Sequence, residues 1–297
     1  MDPFLACIAA LLGLVSGSFL NVCITRIPRD ESIVSPGSHC RRCGASIPWC
    51  CNIPVASFVL LRGRCAHCGE RIALRYLIVE MLTAGLFLAC FARFGLSPAL
   101  LKFSVFSFLV VGLIFMDAET GLLPAEFTWP GIALGLVFAW RTPGDSTGTQ
   151  FMLRAFGLHP ALAVRPLSLL DAAIAAVLGA VFFYSIWAVY YLVRKRHGLG
   201  FGDIALIAMC GTFLGLKLTL FVLFTAPVLG AIYAIALLIA NAVAPSKAQA
   251  ATERVATREM LFMHEIPFGV FLGACSLVAV FWGENAWSLY LASMNFS

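Results

Sequence analysis

The sequence predicts an all-α polytopic membrane protein of about eight transmembrane helices, with a small cysteine-rich insert after the first helix. Of its 297 residues, 61% are hydrophobic and only 12% are charged, and the mean hydropathy is +0.94. Soluble domains carry about 25% charged residues, so the composition excludes a soluble fold. The apolar residues also cluster into runs near the length of about 20 residues that a helix needs to cross a bilayer.

Eight apolar runs give the expected helices. They cover residues 4–24, 76–94, 99–117, 125–140, 168–192, 203–216, 218–242 and 266–283. The first run continues into a basic loop without a small-residue cleavage site, so we interpret it as a retained span and not as a signal peptide. The run 203–216 is short for a span. It is therefore tilted, partly interfacial or merged with its neighbour.

These runs divide the chain into three regions. Residues 1–24 form a first transmembrane helix, residues 25–75 a polar insert rich in Cys and Arg, and residues 76–297 a helical membrane domain. The insert, called here the four-cysteine insert, is too small to build a self-sufficient hydrophobic core. It needs a staple to fold.

The distribution of Lys and Arg predicts the orientation in the membrane. Fourteen of the 20 basic residues lie in the loops 25–75, 193–202 and 243–264, which share one side of an eight-span arrangement. The positive-inside rule makes that side cytoplasmic and both termini exterior. Basic residues interleaved with stacking aromatics are absent, so the net charge of +5 reflects topology and not nucleic-acid binding.

Four cysteines of the insert have the spacing of a structural metal site. They form a C-x2-C-x21-C-x2-C array of Cys40, Cys43, Cys65 and Cys68. Four thiolates complete a tetrahedral Zn²⁺ shell and leave no open position for catalysis. Disulfides or a redox pair are weaker alternatives in a reducing compartment. Cys50 and Cys51 are either an alternative ligand set or inert thiols.

Two aspartates, Asp117 and Asp203, lie at the ends of apolar runs on the predicted cytoplasmic side. An ionisable group at such a position is costly and marks a functional site by default. Two nearby carboxyls share a proton and activate water, as in aspartic proteases. Gly200 and Gly202 leave backbone room for a peptide substrate to approach. Asp203 alone is equally consistent with a helix N-cap.

Two further acids, Glu80 and Asp171, also lie in or near apolar runs. A structural role accounts for each of them: pairing with Arg75, or capping a helix end. The sequence contains no H-E-x-x-H pattern, so it offers no zinc-protease site of that kind.

Several motifs occur in an order that resembles the bacterial prepilin peptidases of type IV pilus and type II secretion systems. They are Gly17-Ser18-Phe19-Leu20-Asn21-Val22, the four-cysteine array, Asn52-Ile53-Pro54, Arg75-Tyr76 through Glu80, Asp117 with Leu123-Pro124, Gly200-Phe201-Gly202-Asp203, and Ile266-Pro267-Phe268-Gly269. The resemblance covers nearly the whole chain. The G-x-G-D motif alone is weak, but the ordered set is specific.

The resemblance implies an inner-membrane aspartic endopeptidase with Asp117 and Asp203 as its catalytic pair. It implies prepilin and pseudopilin substrates, cut after a glycine between a short basic leader and an apolar helix. It also implies methylation of the new N-terminal amine with S-adenosylmethionine as the cofactor, an activity tied to the cytoplasmic four-cysteine insert. It identifies no residues that bind the methyl donor.

Two other classes of function use the same residues. A proton-coupled transporter would use Asp117 and Asp203 as a relay, and it predicts inverted repeats and a site at the membrane midplane. The sequence shows neither feature. A zinc-stapled membrane scaffold would need no catalytic acids at all.

Overall fold

The computed structural model describes residues 2–48, 51–158, 162–195, 200–243 and 267–294. The predicted all-α class is confirmed, because the described regular elements are helices. In chain order they are α1 (Pro3–Arg26), a 3-10 turn (Ile27–Arg29), α2 (Ala56–Leu60), α3 (Leu74–Phe94), α4 (Pro98–Thr120), α5 (Ala125–Arg141), α6 (Thr147–Ala155), α7 (Val164–Arg194), α8 (Phe201–Val243) and α9 (Phe268–Met294).

Six of the described helices are long and apolar enough to cross a membrane: α1, α3, α4, α7, α8 and α9. The predicted number of eight is not confirmed. Helix α5 follows the apolar run 125–140 but has 17 residues, at the lower limit for a span. The runs 203–216 and 218–242 lie within the single interrupted helix α8, because no polar loop separates them. The basic loop 243–264 lies almost wholly outside the described residues.

Helix α8 is interrupted at Gly215, whose φ of +75° is accessible mainly to glycine. The backbone N–H of Leu216 starts the second half and donates to Asp171 Oδ2 at 3.2 Å. Thr149 Oγ1 donates to the other oxygen, Asp171 Oδ1, at 2.5 Å. The buried Asp171 is therefore a helix cap supplied by α7, which is one of the two structural roles expected for it.

The second half of α8 runs back toward the end of the bundle where α8 begins. Near the start of α8, Gly202 packs against Leu123, which also contacts Gly269 at the start of α9. In the second half of α8, Gly230 packs against Phe268, also at the start of α9. Positions before and after the break, at similar distances from Gly215, thus contact the first turn of α9, which makes the two halves of α8 antiparallel.

Small residues bring neighbouring helices into backbone contact, as is common in membrane bundles. A Cβ added to Gly13 of α1 would lie 2.6 Å from the Cα of Ala84 in α3. A Cβ added to Gly211 of α8 would lie 2.6 Å from the backbone nitrogen of Ala176 in α7. The glycines therefore set these interhelical distances. Buried Phe106, Leu206 and Leu272 belong to the apolar core that fills the bundle.

The contact between α1 and α3 gives a stability prediction. We expect Gly13→Ala to lower the free energy of unfolding by about 1–3 kcal/mol, because the added methyl group must displace backbone. Gly85→Ala, also within α3, is the matched control, because a Cβ there meets no atom within 4 Å and alanine favours helix. Thermal unfolding of the two purified variants in detergent compares them. Equal stability would show that α1 and α3 are not in close contact.

Candidate active site

Asp117 lies in the last turn of α4, where the helix ends at Gly121 with φ +65°. The Gly121 N–H donates to the Asp117 carbonyl oxygen at 2.8 Å and closes the turn. The left-handed glycine lets the chain reverse through Leu123 and Pro124 into α5. Asp117 is only 6% exposed. This buried carboxyl is thus held at one end of the bundle.

The Asp117 carboxylate meets the first turn of α9. Its Oδ2 atom accepts the backbone N–H of Val270 at 3.0 Å. A helix N-terminus presents unpaired N–H groups and a positive dipole end, both of which stabilise a carboxylate. Gly269 permits this approach, because a Cβ there would lie 2.8 Å from Asp117 Oδ2. The Pro267-Phe268-Gly269 motif therefore positions Asp117; Ile266, which precedes it, lies outside the described residues.

Asp203 lies in the first turn of α8 and is 7% exposed. Its Oδ2 atom accepts the Gly200 N–H at 3.2 Å, and its own N–H donates to the Gly200 carbonyl at 3.2 Å. This reciprocal pair is close to the capping role expected as the alternative for Asp203. The same bonds also fix the orientation of its carboxyl group.

Leu123 connects the helix ends that carry the two aspartates. A Cβ on Gly202 would lie 2.6 Å from the Leu123 Cβ, and a Cβ on Gly269 would lie 3.0 Å from its Cδ1. Asp203 follows Gly202 in sequence, and Asp117 touches Gly269. Both aspartates therefore lie at the same end of the bundle, around one leucine. Gly202 serves helix packing there, and the role of Gly200 and Gly202 in substrate approach stays a prediction.

The four-cysteine insert lies at this same end. Arg75, in the first turn of α3, forms a salt bridge through Nη1 with Glu119 Oε2 at 2.9 Å. Its Nη2 donates to Thr25 Oγ1 of α1 at 2.9 Å. Glu119 follows Asp117 by two residues on α4. Arg75 therefore joins the insert's boundary helices to the end of α4 and pairs with Glu119, not with Glu80.

The four predicted metal ligands come together. The Sγ atoms of Cys40, Cys43, Cys65 and Cys68 all lie within 4.8 Å of one another. Each C-x2-C pair sits on a tight turn closed by a glycine N–H, Gly44 to the Cys40 carbonyl at 2.9 Å and Gly69 to the Cys65 carbonyl at 3.0 Å. Both glycines have left-handed φ angles near +70°. The glycines thus make the bends that the spacing predicted.

The sulfur geometry fits a tetrahedral ion. Zn–S bonds of about 2.3 Å place tetrahedral sulfurs roughly 3.8 Å apart. The Sγ atoms of Cys40 and Cys68 are 3.8 Å apart. The backbone N–H groups of Cys43 and Arg42 lower the pKa of the Cys40 thiol to about 6, whereas desolvation and the neighbouring thiols raise the pKa of Cys68 to about 12. One thiolate is therefore favoured by the protein itself, and a bound cation would stabilise the others. The cluster can therefore hold a metal ion. Cys51 is not part of it, and Cys50 lies outside the described residues.

Comparison with known proteins assigns the chain. Residues 103–235 match the model of the type IV leader peptidase family, and residues 11–94 match the bacterial peptidase A24 N-terminal domain. A Neisseria gonorrhoeae protein named prepilin leader peptidase/N-methyltransferase is 34% identical over 81% of this chain and 85% of its own length. The chain belongs to the type IV leader peptidase family. The resemblance found in the sequence is thereby confirmed.

Other relatives carry the same name. A Myxococcus xanthus (strain DK1622) protein is 39% identical over 80% of this chain, although the match spans 65% of that protein's length. A Pseudomonas putida protein is 29% identical over all of this chain and 97% of its own length. No solved structure gives a significant match. The two matched family regions divide between α3 and α4, so the four-cysteine insert falls in the first.

Sequence reasoning missed several contacts within this type IV leader peptidase fold. The donor Val270 and the packing role of Leu123 were not anticipated, although each lies in or beside a quoted motif. The Arg75–Glu119 pair was missed because the residues are 44 positions apart. The charge pattern of the sequence is compatible with more than one acidic partner for Arg75. Only the packing of α3 beside α4 selects Glu119.

The sulfur cluster yields a metal-content prediction. We expect purified type IV leader peptidase of this sequence to retain one metal ion per chain, and Cys43→Ser to lose most of it, because three thiolates bind far more weakly than four. Elemental analysis of the detergent-purified proteins measures the content. Cys7→Ser is the control, since Cys7 is a free thiol in α1. Equal metal in both variants would rule out the cluster as the site.

Proposed function

We propose that the protein is an intramembrane aspartic endopeptidase that removes the leader from prepilins and pseudopilins, with Asp117 and Asp203 as the catalytic pair. The observation that carries the proposal is that Leu123 packs against both Gly202, which precedes Asp203, and Gly269, which touches Asp117, so that both buried aspartates lie at one end of the bundle. The names of the relatives support the same activity. The proposed peptidase domain is residues 76–297, after the first helix and the four-cysteine insert.

The chemistry follows from two carboxyls at different protonation states. One carboxylate accepts a proton from water, which attacks the scissile carbonyl, while the protonated partner donates to the carbonyl oxygen. The tetrahedral intermediate then collapses as a proton passes to the leaving amine. The Val270 N–H holds Asp117 and the Gly200 N–H holds Asp203. These bonds limit the rotation of each carboxyl group, which reduces the entropic part of the barrier.

The location of the site matches the proposed substrate. A prepilin has a short basic leader followed by an apolar helix, cut after a glycine. Positive-inside topology keeps such a leader on the cytoplasmic side. The salt bridge from Arg75 to Glu119 supports placing both aspartates on the same side as the Arg-rich insert. We therefore propose a multi-pass inner-membrane enzyme whose active site and four-cysteine insert both face the cytoplasm.

Two groups complete the proposal. Zn²⁺ is the metal best suited to four thiolates in a closed tetrahedral shell, and it would staple the insert. S-adenosylmethionine would supply the methyl group for the new N-terminal amine, as the names of the relatives imply. The transporter alternative finds no support in the comparisons. A scaffold would not need two buried aspartates held by backbone donors.

The catalytic pair gives a direct test. We expect Asp117→Asn and Asp203→Asn each to reduce leader removal by at least about 10³-fold, because an amide neither exchanges a proton with water nor carries charge. Mass spectrometry of a prepilin incubated with purified enzyme measures both cutting and methylation of the product. Asp145→Asn, a change at the opposite end of the bundle, is the control. Normal cutting by either of the first two variants would rule out the mechanism.

The contact of Gly269 with Asp117 gives a second test. We expect Gly269→Ala to lower kcat about 10- to 100-fold, because the added methyl group must displace the Asp117 carboxylate or Leu123. Gly230→Ala should change kcat little, since its Cβ would make only ordinary contacts at 3.8 Å. Steady-state cleavage kinetics compare the two. Equal kcat values would mean that the position of α9 does not control Asp117.

A further inference from the structure

A large cavity separates the four-cysteine insert from the ends of α1 and α3. Its volume is about 950 Å³, which lies in the range of sites for small molecules and cofactors. Asn21 and Glu80 line it from the membrane helices, and Cys40 and Cys65 line it from the insert. The metal-binding turns therefore form one wall of the cavity. This gives the insert a purpose beyond its own folding.

Asn21 places an unused acceptor in this cavity. The side chain is buried, at 2% exposure. Its Nδ2 donates to the Tyr76 carbonyl at 3.0 Å, but its Oδ1 accepts no hydrogen bond from the part of the chain that the structure describes. A buried acceptor without a donor costs about 1–3 kcal/mol. The Oδ1 atom itself is closed to solvent, so a positive charge bound in the cavity would offset that cost through space and not through a direct hydrogen bond.

Glu80 adds a negative charge to the same cavity. It is 7% exposed, and its Oε2 accepts the Val55 N–H at 2.7 Å. Val55 has φ +60°, which is strained for a β-branched residue. Among the described residues, no Lys or Arg forms a salt bridge with Glu80. A buried carboxylate without a cationic partner is the expected complement of a cationic ligand.

We propose that this cavity binds S-adenosylmethionine, with Asn21 and Glu80 holding its positively charged part. The inference rests on the methyl transfer in the proposed function. The donor is a compact molecule with a sulfonium, an ammonium and a carboxylate. The cavity offers acceptors from Asn21 and Glu80, an aromatic ring from Tyr76, and guanidinium groups such as Arg29 and Arg71 for the carboxylate. These groups match the ligand's charges in sign.

The lining favours this occupant over the basic leader peptide. Six arginines and four glutamates face the cavity, and two of the glutamates, Glu70 and Glu119, are already paired with arginines. A surplus of positive charge repels a leader that is itself basic. A zwitterionic small molecule with one extra positive charge needs only the local acceptors at Asn21 and Glu80.

The cavity is also adjacent to the proposed peptidase site. Glu119 lines it and lies two residues after Asp117 on α4. Because these two residues point to different faces of α4, an amine released beside Asp117 would reach the cavity by passing around the end of that helix. In the transfer, the amine nitrogen forms a bond to the methyl carbon as the sulfur–methyl bond breaks. The sulfonium keeps the electron pair and becomes a thioether, and the ammonium form of the substrate loses one proton overall.

Direct binding tests the inference without relying on turnover. The full-length protein in lipid nanodiscs is titrated with tritiated S-adenosylmethionine in the absence of substrate. We expect saturable binding that Glu80→Gln weakens about tenfold, because a charged hydrogen-bond partner is lost. Glu70→Gln is the matched control, since this glutamate lines the same cavity but is exposed and paired with Arg42. It should change binding by less than about twofold.

Photochemical labelling of the unsubstituted protein provides a test that does not depend on whether the variants fold. Irradiation with the tritiated donor, followed by digestion, should place the adduct in peptides that contain Asn21, Ser57 or Tyr76 through Glu80. An adduct elsewhere, or equal weakening by Glu80→Gln and Glu70→Gln, would overturn the inference. Absence of binding in a protein that still cuts prepilin would overturn it while leaving the peptidase proposal intact. Binding at this cavity by a protein that does not cut prepilin would support it and reject the peptidase.

Discussion

The hydrogen bond from the first turn of α9 to the Asp117 carboxylate connects most of what is distinctive in this structure. A carboxyl at the end of a membrane helix is costly, and a helix N-terminus is the cheapest internal group to offset that cost. The bond requires a small residue at Gly269 and a reversal of the chain after Gly121. It also brings Leu123 between α4, α8 and α9. The position of Asp203 follows, because α8 begins against the same leucine.

A second set of contacts relates this end of the bundle to the insert. Arg75 reaches both α1 and α4, and Glu119 belongs at once to the helix of Asp117 and to the cavity beneath the cysteine turns. In the proposed scheme, cutting and methylation of one peptide take place at the same end of the bundle, on either side of the Arg75–Glu119 ion pair. The product of cutting need not leave the protein before it is methylated. The metal-binding turns contribute by closing the second space.

Much of the architecture follows from local patterns in the sequence. Apolar runs predict the helices, and the cysteine turns follow from spacing and glycine, because both depend on neighbours along the chain. Contacts between segments that are distant in the sequence are harder to predict from it. The reversal at Gly215 carries no polar loop to mark it, and the capping by Asp171 requires α7 beside α8. No pattern in the residues around Asn21 predicts its unpaired acceptor, and none around Val55 predicts its left-handed backbone. The roles of Asp117 and Asp203 remain predictions that their placement makes chemically reasonable.

The interruption of α8 also has a consequence for the surrounding lipid. Residues 201–214 before the break rise roughly 21 Å at 1.5 Å per residue, about 9 Å less than the hydrocarbon thickness of a typical bilayer. Beyond the break, Lys217 forms ion pairs with Asp145 and Glu284 and is only 11% exposed at its side chain. Charged groups at that depth draw water inward, and the bilayer adapts to a short apolar length by becoming thinner. We therefore expect the bilayer beside the first half of α8 to be thinner than its surroundings, with the deformation starting on the side of Lys217, opposite to Asp117 and Asp203.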